Sequence, residues 1–193
     1  MKTNMKTTPI AIALLLSVGC APAEPERVSS NGHRPLVSQL EPSSVAPDAA
    51  RTEERNLQTF DDLDFNVFSN QKWDELSHSH AQDVIVHWPD GRTTVGIDAH
   101  IDDLKKLFVH APDTRIKVHP HKIADRNMTA VSGIMEGTFT RAMPLADGSS
   151  MPATGKAFTL PMATIGRWEN GVMQEEWLFW DNQSYLAQIG VTP

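Results

Sequence analysis

The chain is poor in cysteine and in clustered basic residues, and each shortage excludes a class of protein. Its 193 residues include a single cysteine, Cys20, so the chain can form no internal disulfide. The formal net charge is −7, and the 17 lysines and arginines are scattered singly or in pairs. Such a distribution offers no cationic stripe for a run of phosphates, so no nucleic-acid partner is expected.

The first twenty residues have the pattern of an export signal. MKTNMK supplies a positive start, and the apolar run PIAIALLLSV is too short to cross a bilayer comfortably. We expect residues 1–19 to be a signal peptide that is removed. Cys20 closes LLLSVGC, which resembles the lipobox of bacterial lipoproteins, where the cysteine becomes lipidated. Cleavage after Ala21-Pro22-Ala23, which would release a soluble exported protein, is the alternative.

Residues 20–52 are rich in proline, serine, alanine and charge, and they show no sustained period of 2 or 3.6. This composition predicts a flexible linker that follows the lipid-anchor cysteine. We therefore expect an exported protein, lipid-anchored to the bacterial cell envelope, whose only membrane contact is the anchor.

Residues 53–193 have the pattern of one folded α+β domain. In the first predicted helix, Leu57, Phe60, Val67 and Phe68 share a face on which Asp64 is the polar exception. Shorter patterns then predict a helix at WDELSHSH, a strand over residues 83–88, a helix at GIDAHIDDLKKLFVHAPD, several antiparallel strands and a closing helix at NQSYLAQIGV. The order is helices first and sheet afterwards.

The last two predicted strands form a hairpin with Asn170-Gly171 at its tip. Counting outward without interruption pairs Thr164 with Trp177, Met162 with Phe179 and Leu160 with Asp181. Paired residues share a face of the sheet. The count therefore predicts an apolar pocket wall that carries one acid, and a carboxyl group in such a place has a raised pKa that suits general acid or base catalysis.

The domain resembles the SnoaL-like polyketide cyclase (ester cyclase) family of the nuclear transport factor 2-like superfamily. The resemblance rests on DVIVHWPDG, APD, GTF, TGKAF, GRWENGVMQEEWLFWD and YLAQIGV, which follow one another in the family's order. It implies a cone-shaped, curved antiparallel sheet wrapped by N-terminal helices. It also implies a homodimer, and outward apolar residues of the last hairpin, among them Trp168, Leu178 and Trp180, favour one.

The resemblance also implies a site. Asp181 matches the family's general acid/base for an intramolecular aldol closure that needs no cofactor, and His87 would be a second polar group that steadies an enolate. The expected ligand is a small apolar molecule. Its predicted contacts are Trp177, Phe179, Met162, Thr164, Leu160 and Asp64.

Each assignment has an alternative. Asp181 is also well placed to cap the closing helix, and His87 is equally a core or an exposed strand residue. The aromatic residues can simply fill a core, and Asp64 can mark a kink rather than face a cavity. A non-catalytic exported protein that binds a small molecule remains the alternative function.

The sequence gives less support to a metal site, to isomerisation with a tyrosine oxyanion donor and to hydrolysis. His78-Ser79-His80 and His119-Pro120-His121 are His-x-His pairs, but neither has a third ligand at clear spacing, so no metal is expected. The only tyrosine, Tyr185, lies in the closing helix, which disfavours an isomerase with a tyrosine oxyanion donor. Hydrolysis that uses Arg141 or Arg167 is a minor alternative.

Overall fold

The computed structural model describes residues 47–145 and 147–191, so the predicted signal peptide, Cys20 and most of the linker lie outside the described residues. Helix α1 begins at Pro47, six residues before the predicted start of the domain. It continues into a π-helical turn at Leu63–Phe68, which is followed by a 3₁₀ helix at Trp73–His78. No helix among the described residues is long and apolar enough to cross a membrane.

Within residues 47–145 and 147–191, nine strands and two further helices follow. Their bounds are β1 His80–His87, β2 Thr93–Val95, α2 Ile97–His110, β3 Arg115–Ile116, β4 His121–Asp125, β5 Met128–Thr138, β6 Met143–Pro144, β7 Ser150–Met151, β8 Ala157–Glu169, β9 Val172–Trp180 and α3 Asn182–Gln188.

Seven strands form one open, curved sheet in the order β2-β1-β9-β8-β5-β3, with β4 also paired to β5, and β6 and β7 form a separate ribbon. The pairs are antiparallel except that β1 runs parallel to β9. Helix α1 packs on β4 and β5, α2 packs on β1 and β2, and α3 packs on β8. The predicted α+β class, with a curved sheet and N-terminal helices, is confirmed.

The core lies between the helices and the inner face of the sheet. Val131 and Met135 of β5, Leu160 of β8 and Leu178 of β9 are buried there. Because successive residues of a strand point to opposite faces, each strand contributes alternate side chains to this core.

The β8–β9 hairpin has the predicted turn but not the predicted register. Asn170 and Gly171 both adopt positive φ, as a two-residue hairpin turn requires, and Glu169 pairs with Val172. Trp168 then pairs with Met173, whereas Arg167 pairs with Glu175, so Gln174 is left over as a β-bulge. Every β9 residue beyond the bulge therefore points to the face opposite to the predicted one.

Candidate functional site

A cavity of about 40 Å³ lies between the π-helical turn, α2 and the inner face of the sheet. We call it the inner cavity. Its wall is mainly apolar, with Leu104 of α2, Met135 of β5 and Leu178 of β9 among its side chains. Five polar side chains also reach it: Asp64, His80, His100, Thr164 and Glu176.

A second chamber of about 90 Å³ adjoins the inner cavity and shares Leu107, Met135 and Trp180 with it. Tyr185 lines this chamber, and its hydroxyl lies 2.6 Å from His110 Nε2. Burial raises the pKa of Tyr185 to about 12, so the hydroxyl stays protonated at neutral pH. Although Tyr185 lies in the closing helix, its hydroxyl group therefore faces the interior of the domain.

Two tryptophans stand between the inner cavity and the surface. Trp88 and Trp180 meet edge to face, with ring centroids 6.3 Å apart. Outside them lies a polar hollow of about 150 Å³, where Arg92 and Lys106 both pair with Asp103. This hollow is the natural entrance to the cavity, because Trp88, Leu107 and Trp180 line both spaces.

A chain of ionisable groups leads from the surface to the inner cavity through His119. Lys122 Nζ donates to Asp61 Oδ2 at 2.6 Å, and His119 Nδ1 donates to Asp61 Oδ1 at 2.8 Å. The other ring nitrogen of His119, Nε2, shares a proton with Asp64 Oδ2 at 2.8 Å. Only 2% of the His119 side chain is exposed, and Phe65 packs against its ring at a centroid distance of 4.4 Å. The far end of this chain, Asp64, is the carboxyl group that faces the cavity.

Burial sets the protonation of this chain, modified by its hydrogen bonds. Burial raises the pKa of Asp64, and the hydrogen bond from His119 offsets only part of that rise. Burial lowers the pKa of His119, but hydrogen bonds to Asp64 and Asp61 outweigh it and leave the pKa raised. Asp61 has a lowered pKa, because Lys122 and His119 outweigh the effect of its own burial. Asp64 is thus the carboxyl group of this chain whose pKa is raised, which is the direction that suits a general base.

A second polar cluster occupies the sheet side of the cavity. His80 Nε2 lies 3.7 Å from Glu176 Oε2, and His100 Nε2 lies 3.5 Å from the same oxygen. All three side chains are at most 5% exposed. Burial lowers the pKa of His100 to about 4, so its ring is uncharged at neutral pH. Burial raises the pKa of Glu176, but both histidines more than offset this and leave the pKa lowered.

The sequence profile of the SnoaL-like polyketide cyclases matches residues 57–189. The chain belongs to this family. No curated protein matches it.

Solved structures share the fold of this SnoaL-like protein. A proposed SnoaL-like polyketide cyclase from Jannaschia sp. CCS1 matches with a TM-score of 0.63 at 18% identity, over 74% of this chain and 96% of the other. IdmH, a proposed polyketide cyclase from Streptomyces antibioticus, matches with a TM-score of 0.60 at 21% identity, over 70% and 99%. A nuclear transport factor 2-like protein of unknown function from Burkholderia pseudomallei K96243 matches with a TM-score of 0.57 at 20% identity, over 70% of this chain and 98% of the other.

The structure places part of the residue set predicted for a SnoaL-like site around the interior. Asp64, Met162 and Thr164 line the inner cavity, and Leu160 lines the adjoining chamber. Asp64 reaches the cavity because the π-helical turn begins next to it, at Leu63. What these residues bind stays a prediction.

The β-bulge turns the rest of the predicted set away from the cavity. Trp177 and Phe179 lie on the outer face of the sheet, where Phe179 is 50% exposed. Leu178 and Trp180, which the uninterrupted count placed outside, line the cavity instead, and Trp168 is buried with them on the inner side. The predicted pocket wall was therefore wrong for β9, since one extra residue exchanged its two faces.

Asp181 and His87 are also outside the cavity. Asp181 is exposed and caps α3, because Oδ1 accepts hydrogen bonds from the backbone N–H groups of Gln183 and Ser184. His87 stacks on Trp177 of the outer face, with the two rings 9° from parallel. Its Nε2 lies 2.9 Å from Glu175 Oε1. The predicted placement of Asp181 on the pocket wall was therefore wrong, because the bulge exchanges the two faces of β9. The catalytic roles predicted for Asp181 and His87 stay predictions.

Sequence analysis missed four polar residues of this interior, namely His80, His100, His119 and Glu176. His100 sits among Ile97, Leu104 and Phe108 on the buried face of α2, so it is a polar exception of the kind that singled out Asp64. Glu176 could not be told from Glu175, because the choice depends on the bulge. His80 and His119 were noted as members of His-x-His pairs, but their true neighbours are distant in sequence.

Proposed function

We propose that the protein catalyses proton transfer at a carbon atom of a small, mainly apolar molecule held in the inner cavity, with Asp64 as the general base. The observation that carries the proposal is the Asp61–His119–Asp64 chain, which ends with a buried carboxyl group of raised pKa at the cavity wall. Membership in the SnoaL-like family supports the same reaction class, aldol-type cyclisation or isomerisation.

The proposed reaction moves protons and makes or shifts a carbon bond without any redox change. Asp64 takes a proton from a carbon next to a carbonyl group, and the electron pair of the broken C–H bond enters an enolate. In a cyclisation the enolate carbon attacks a second carbonyl of the same molecule, and its oxygen receives the proton. In an isomerisation the proton returns to another carbon. His119 holds the Asp64 carboxyl group in place and lowers the cost of its ionisation.

The size of the interior limits the substrate. The two chambers of about 40 and 90 Å³ are far smaller than the roughly 300–1,000 Å³ of pockets that hold drug-sized ligands. A larger substrate requires Leu107, Met135 and Trp180, which separate the chambers, to move apart. Methionine adapts readily to such a change because its side chain is unbranched and flexible.

The test is solvent deuterium exchange into simple ketones, from butanone to acetophenone, followed by NMR in D₂O with the purified protein. Wild type should exchange the protons next to the carbonyl group above the buffer rate. Asp64→Asn should lose about 10²- to 10⁴-fold of that rate, the range of a general base. Asp181→Asn is the matched control, because it removes an acid of the predicted site that lies outside the cavity.

Two results would contradict the assignment of Asp64. One is an unchanged exchange rate in Asp64→Asn. The other is loss of exchange in Asp181→Asn with retention in Asp64→Asn. That result would assign the proton transfer to Asp181, the residue that the family resemblance predicts.

A non-catalytic ligand-binding lipoprotein is the second candidate. The predicted signal peptide and Cys20 favour it, because a protein at the cell surface is separated from cytoplasmic biosynthetic intermediates. In that case a cell-envelope extract should yield a molecule that remains bound in native mass spectrometry, without catalysed exchange by wild type. The mass of the mature protein, with and without Cys20→Ala, tests the lipid anchor.

We further propose a homodimer that forms through the outer face of the sheet. This face carries exposed or half-buried apolar residues on neighbouring strands, namely Ile85, Ile134, Pro161, Ala163, Ile165, Trp177 and Phe179. A contiguous apolar surface of this kind marks an interaction site. A second copy is the partner that the family resemblance implies.

A further inference from the structure

Three ligand-type atoms converge on one point in the inner cavity. The ligand atoms of His80, His100 and Glu176 all lie within 4.8 Å of one another, and all three residues are buried. They come from β1, α2 and β9, so only the fold brings them together. Among the described residues, His80 Nε2 and Glu176 Oε2 have no hydrogen-bond partner. Unpartnered buried polar atoms are costly, so such a convergence calls for a missing group.

Hydrogen bonds fix which nitrogen of His80 faces this point. Ser79 Oγ donates its one proton to the Leu76 carbonyl oxygen at 3.1 Å. Ser79 Oγ therefore accepts from His80 Nδ1, which lies 2.9 Å away. The other ring nitrogen, Nε2, is therefore the one that faces the Glu176 carboxylate, 3.7 Å from Oε2. A cation bound between this nitrogen and the carboxylate would satisfy both buried atoms.

The spacing suits a metal ion better than direct hydrogen bonds. The separations of 3.7 and 3.5 Å between the histidine nitrogens and Glu176 Oε2 exceed the usual hydrogen-bond range. A tetrahedral zinc site with bonds of about 2.1 Å has ligands about 3.4 Å apart. The observed separations are close to that value. Ser79 also orients one of the ligands, because its Oγ is hydrogen-bonded to His80 Nδ1. Metal-bound histidines usually have such a partner on the nitrogen that does not bind the metal.

We propose that His80, His100 and Glu176 bind one divalent metal ion of the zinc type. Two histidines and one carboxylate leave a fourth position open to the cavity, which is the pattern of a catalytic rather than a structural zinc site. The cavity of about 40 Å³ has room for a metal-bound water or a substrate oxygen at that position. The proposal stands apart from the role of Asp64, because metal binding is measured without any turnover.

This site differs from the His-x-His pairs that the sequence offers. His78 is exposed and His121 is exposed, so each pair contributes at most one buried ring. His100 keeps one nitrogen, Nδ1, without a partner in the described part of the chain, and its ring is held by packing against Trp88 at 5.6 Å. The third ligand, Glu176, lies 96 residues after His80 and 76 residues after His100 in sequence, and it reaches them only through the bulged strand.

The experiment measures metal content on the full-length protein, stripped with EDTA and dialysed against Zn²⁺ alone. Elemental analysis should find one zinc ion per chain, and Co²⁺ in place of zinc should give the intense visible bands of a four-coordinate site. Glu176→Gln, which preserves shape, should weaken zinc binding by more than about a hundredfold. Ser79→Ala should weaken it by roughly 10- to 100-fold, as loss of an orienting partner does.

The double variant His78→Asn/His121→Asn is the matched control and should bind zinc like wild type. The proposal is overturned if stripped wild type takes up no zinc, or if folded Glu176→Gln binds it unchanged. Loss of zinc in the control double variant would place binding on the surface and would overturn it as well. Should Glu176→Gln fail to fold by near-ultraviolet circular dichroism, Ser79→Ala and the Co²⁺ spectrum of wild type decide the question.

Discussion

The surroundings of a carboxyl group decide what it does, and Asp64 and Asp181 differ in nearly every respect. Asp64 is enclosed by the cavity wall, and burial raises its pKa although the hydrogen bond with His119 offsets part of that rise. Asp181 is exposed and uses its charge on two backbone N–H groups at the start of α3. A carboxylate at a helix N-terminus also interacts favourably with the helix dipole. Asp181 therefore contributes to stability, while Asp64 is available for chemistry.

Replacing Asp181 should lower stability without affecting the cavity. Asp181→Ala removes both capping hydrogen bonds and should cost about 1 kcal/mol, within the range of roughly 0.5–2 kcal/mol for helix N-caps. Asp181→Asn retains an acceptor and should stay within a few tenths of a kcal/mol of wild type. Urea unfolding followed by circular dichroism measures both changes. Equal losses in the two variants would contradict the capping role.

The raised pKa of His119 makes a pH-dependent contribution to stability. A group whose pKa is higher in the folded state stabilises the protein fully below its unfolded pKa, about 6.5 for histidine, and loses this effect as the pH rises through the folded value. The penalty of His119→Gln should therefore be larger at pH 6 than at pH 9. Urea unfolding at both pH values measures it.

The exposed His121 provides the control for that measurement, because His121→Gln leaves the chain to Asp64 intact. Its stability should follow wild type at both pH values. A penalty for His119→Gln that is the same at pH 6 and pH 9 would show that His119 gains no proton affinity on folding.

At the scale of the element, the bulge in β9 determines the chemistry of the site. The strand reads VMQEEWLFW, so both of its faces carry aromatic residues and both carry a glutamate. Without the bulge, Glu175, Trp177 and Phe179 would face the cavity. With it, Glu176, Leu178 and Trp180 do so. One unpaired residue, Gln174, thus selects which carboxylate meets His80 and His100.

Inserting one alanine after Gln174 tests this role. If a single bulge is kept, the insertion moves every later residue of β9 along by one place, which would take Leu178 and Trp180 out of the core; the alternative is a distorted, two-residue bulge. We expect a loss of at least 3 to 5 kcal/mol, about the cost of removing one large buried side chain. Gln174→Ala keeps the residue count and should cost less than about 1 kcal/mol. Thermal unfolding compares the two, and an insertion variant as stable as Gln174→Ala would show that the single extra residue does not determine which face of β9 is buried.

For the molecule as a whole, the sheet presents two different surfaces. The inner face is covered by the helices and encloses the polar clusters. The outer face keeps apolar side chains exposed, with Phe179 at 50%. His87, Glu175 and Arg167 form a polar row beside them, with Arg167 Nε donating to Glu175 Oε2 at 3.3 Å. An apolar centre with a polar rim is the usual composition of a protein interface.

Charge introduced at the centre of this face should prevent the proposed dimer. Phe179→Glu should elute as a monomer in size-exclusion chromatography with light scattering, while wild type elutes as a dimer, because a buried unpaired carboxylate is costly. Val109→Glu is the control, since Val109 is exposed on α2, away from the outer face. Identical masses for wild type and Phe179→Glu would contradict an interface on this face.

The elements were largely predictable because local patterns fix them. The apolar stripes of α1 and α2 and the Asn170-Gly171 turn appear where the sequence indicates them. The start of α1 at Pro47 was missed, because the residues before 53 lack a clear apolar stripe. The parallel pairing of β1 with β9 was missed too, since it joins strands that are far apart in the chain.

The sequence by itself determined the fold class, the family and the mainly apolar interior with Asp64, Met162 and Thr164 facing it. These follow from local periodicity and from the order of short motifs. The tertiary structure alone decided which acid lies inside and which groups surround it. A shift of strand register by one residue leaves the local sequence pattern unchanged, so the pattern does not show which face of β9 is buried. His80, His100, His119 and Glu176 meet only when distant elements pack together.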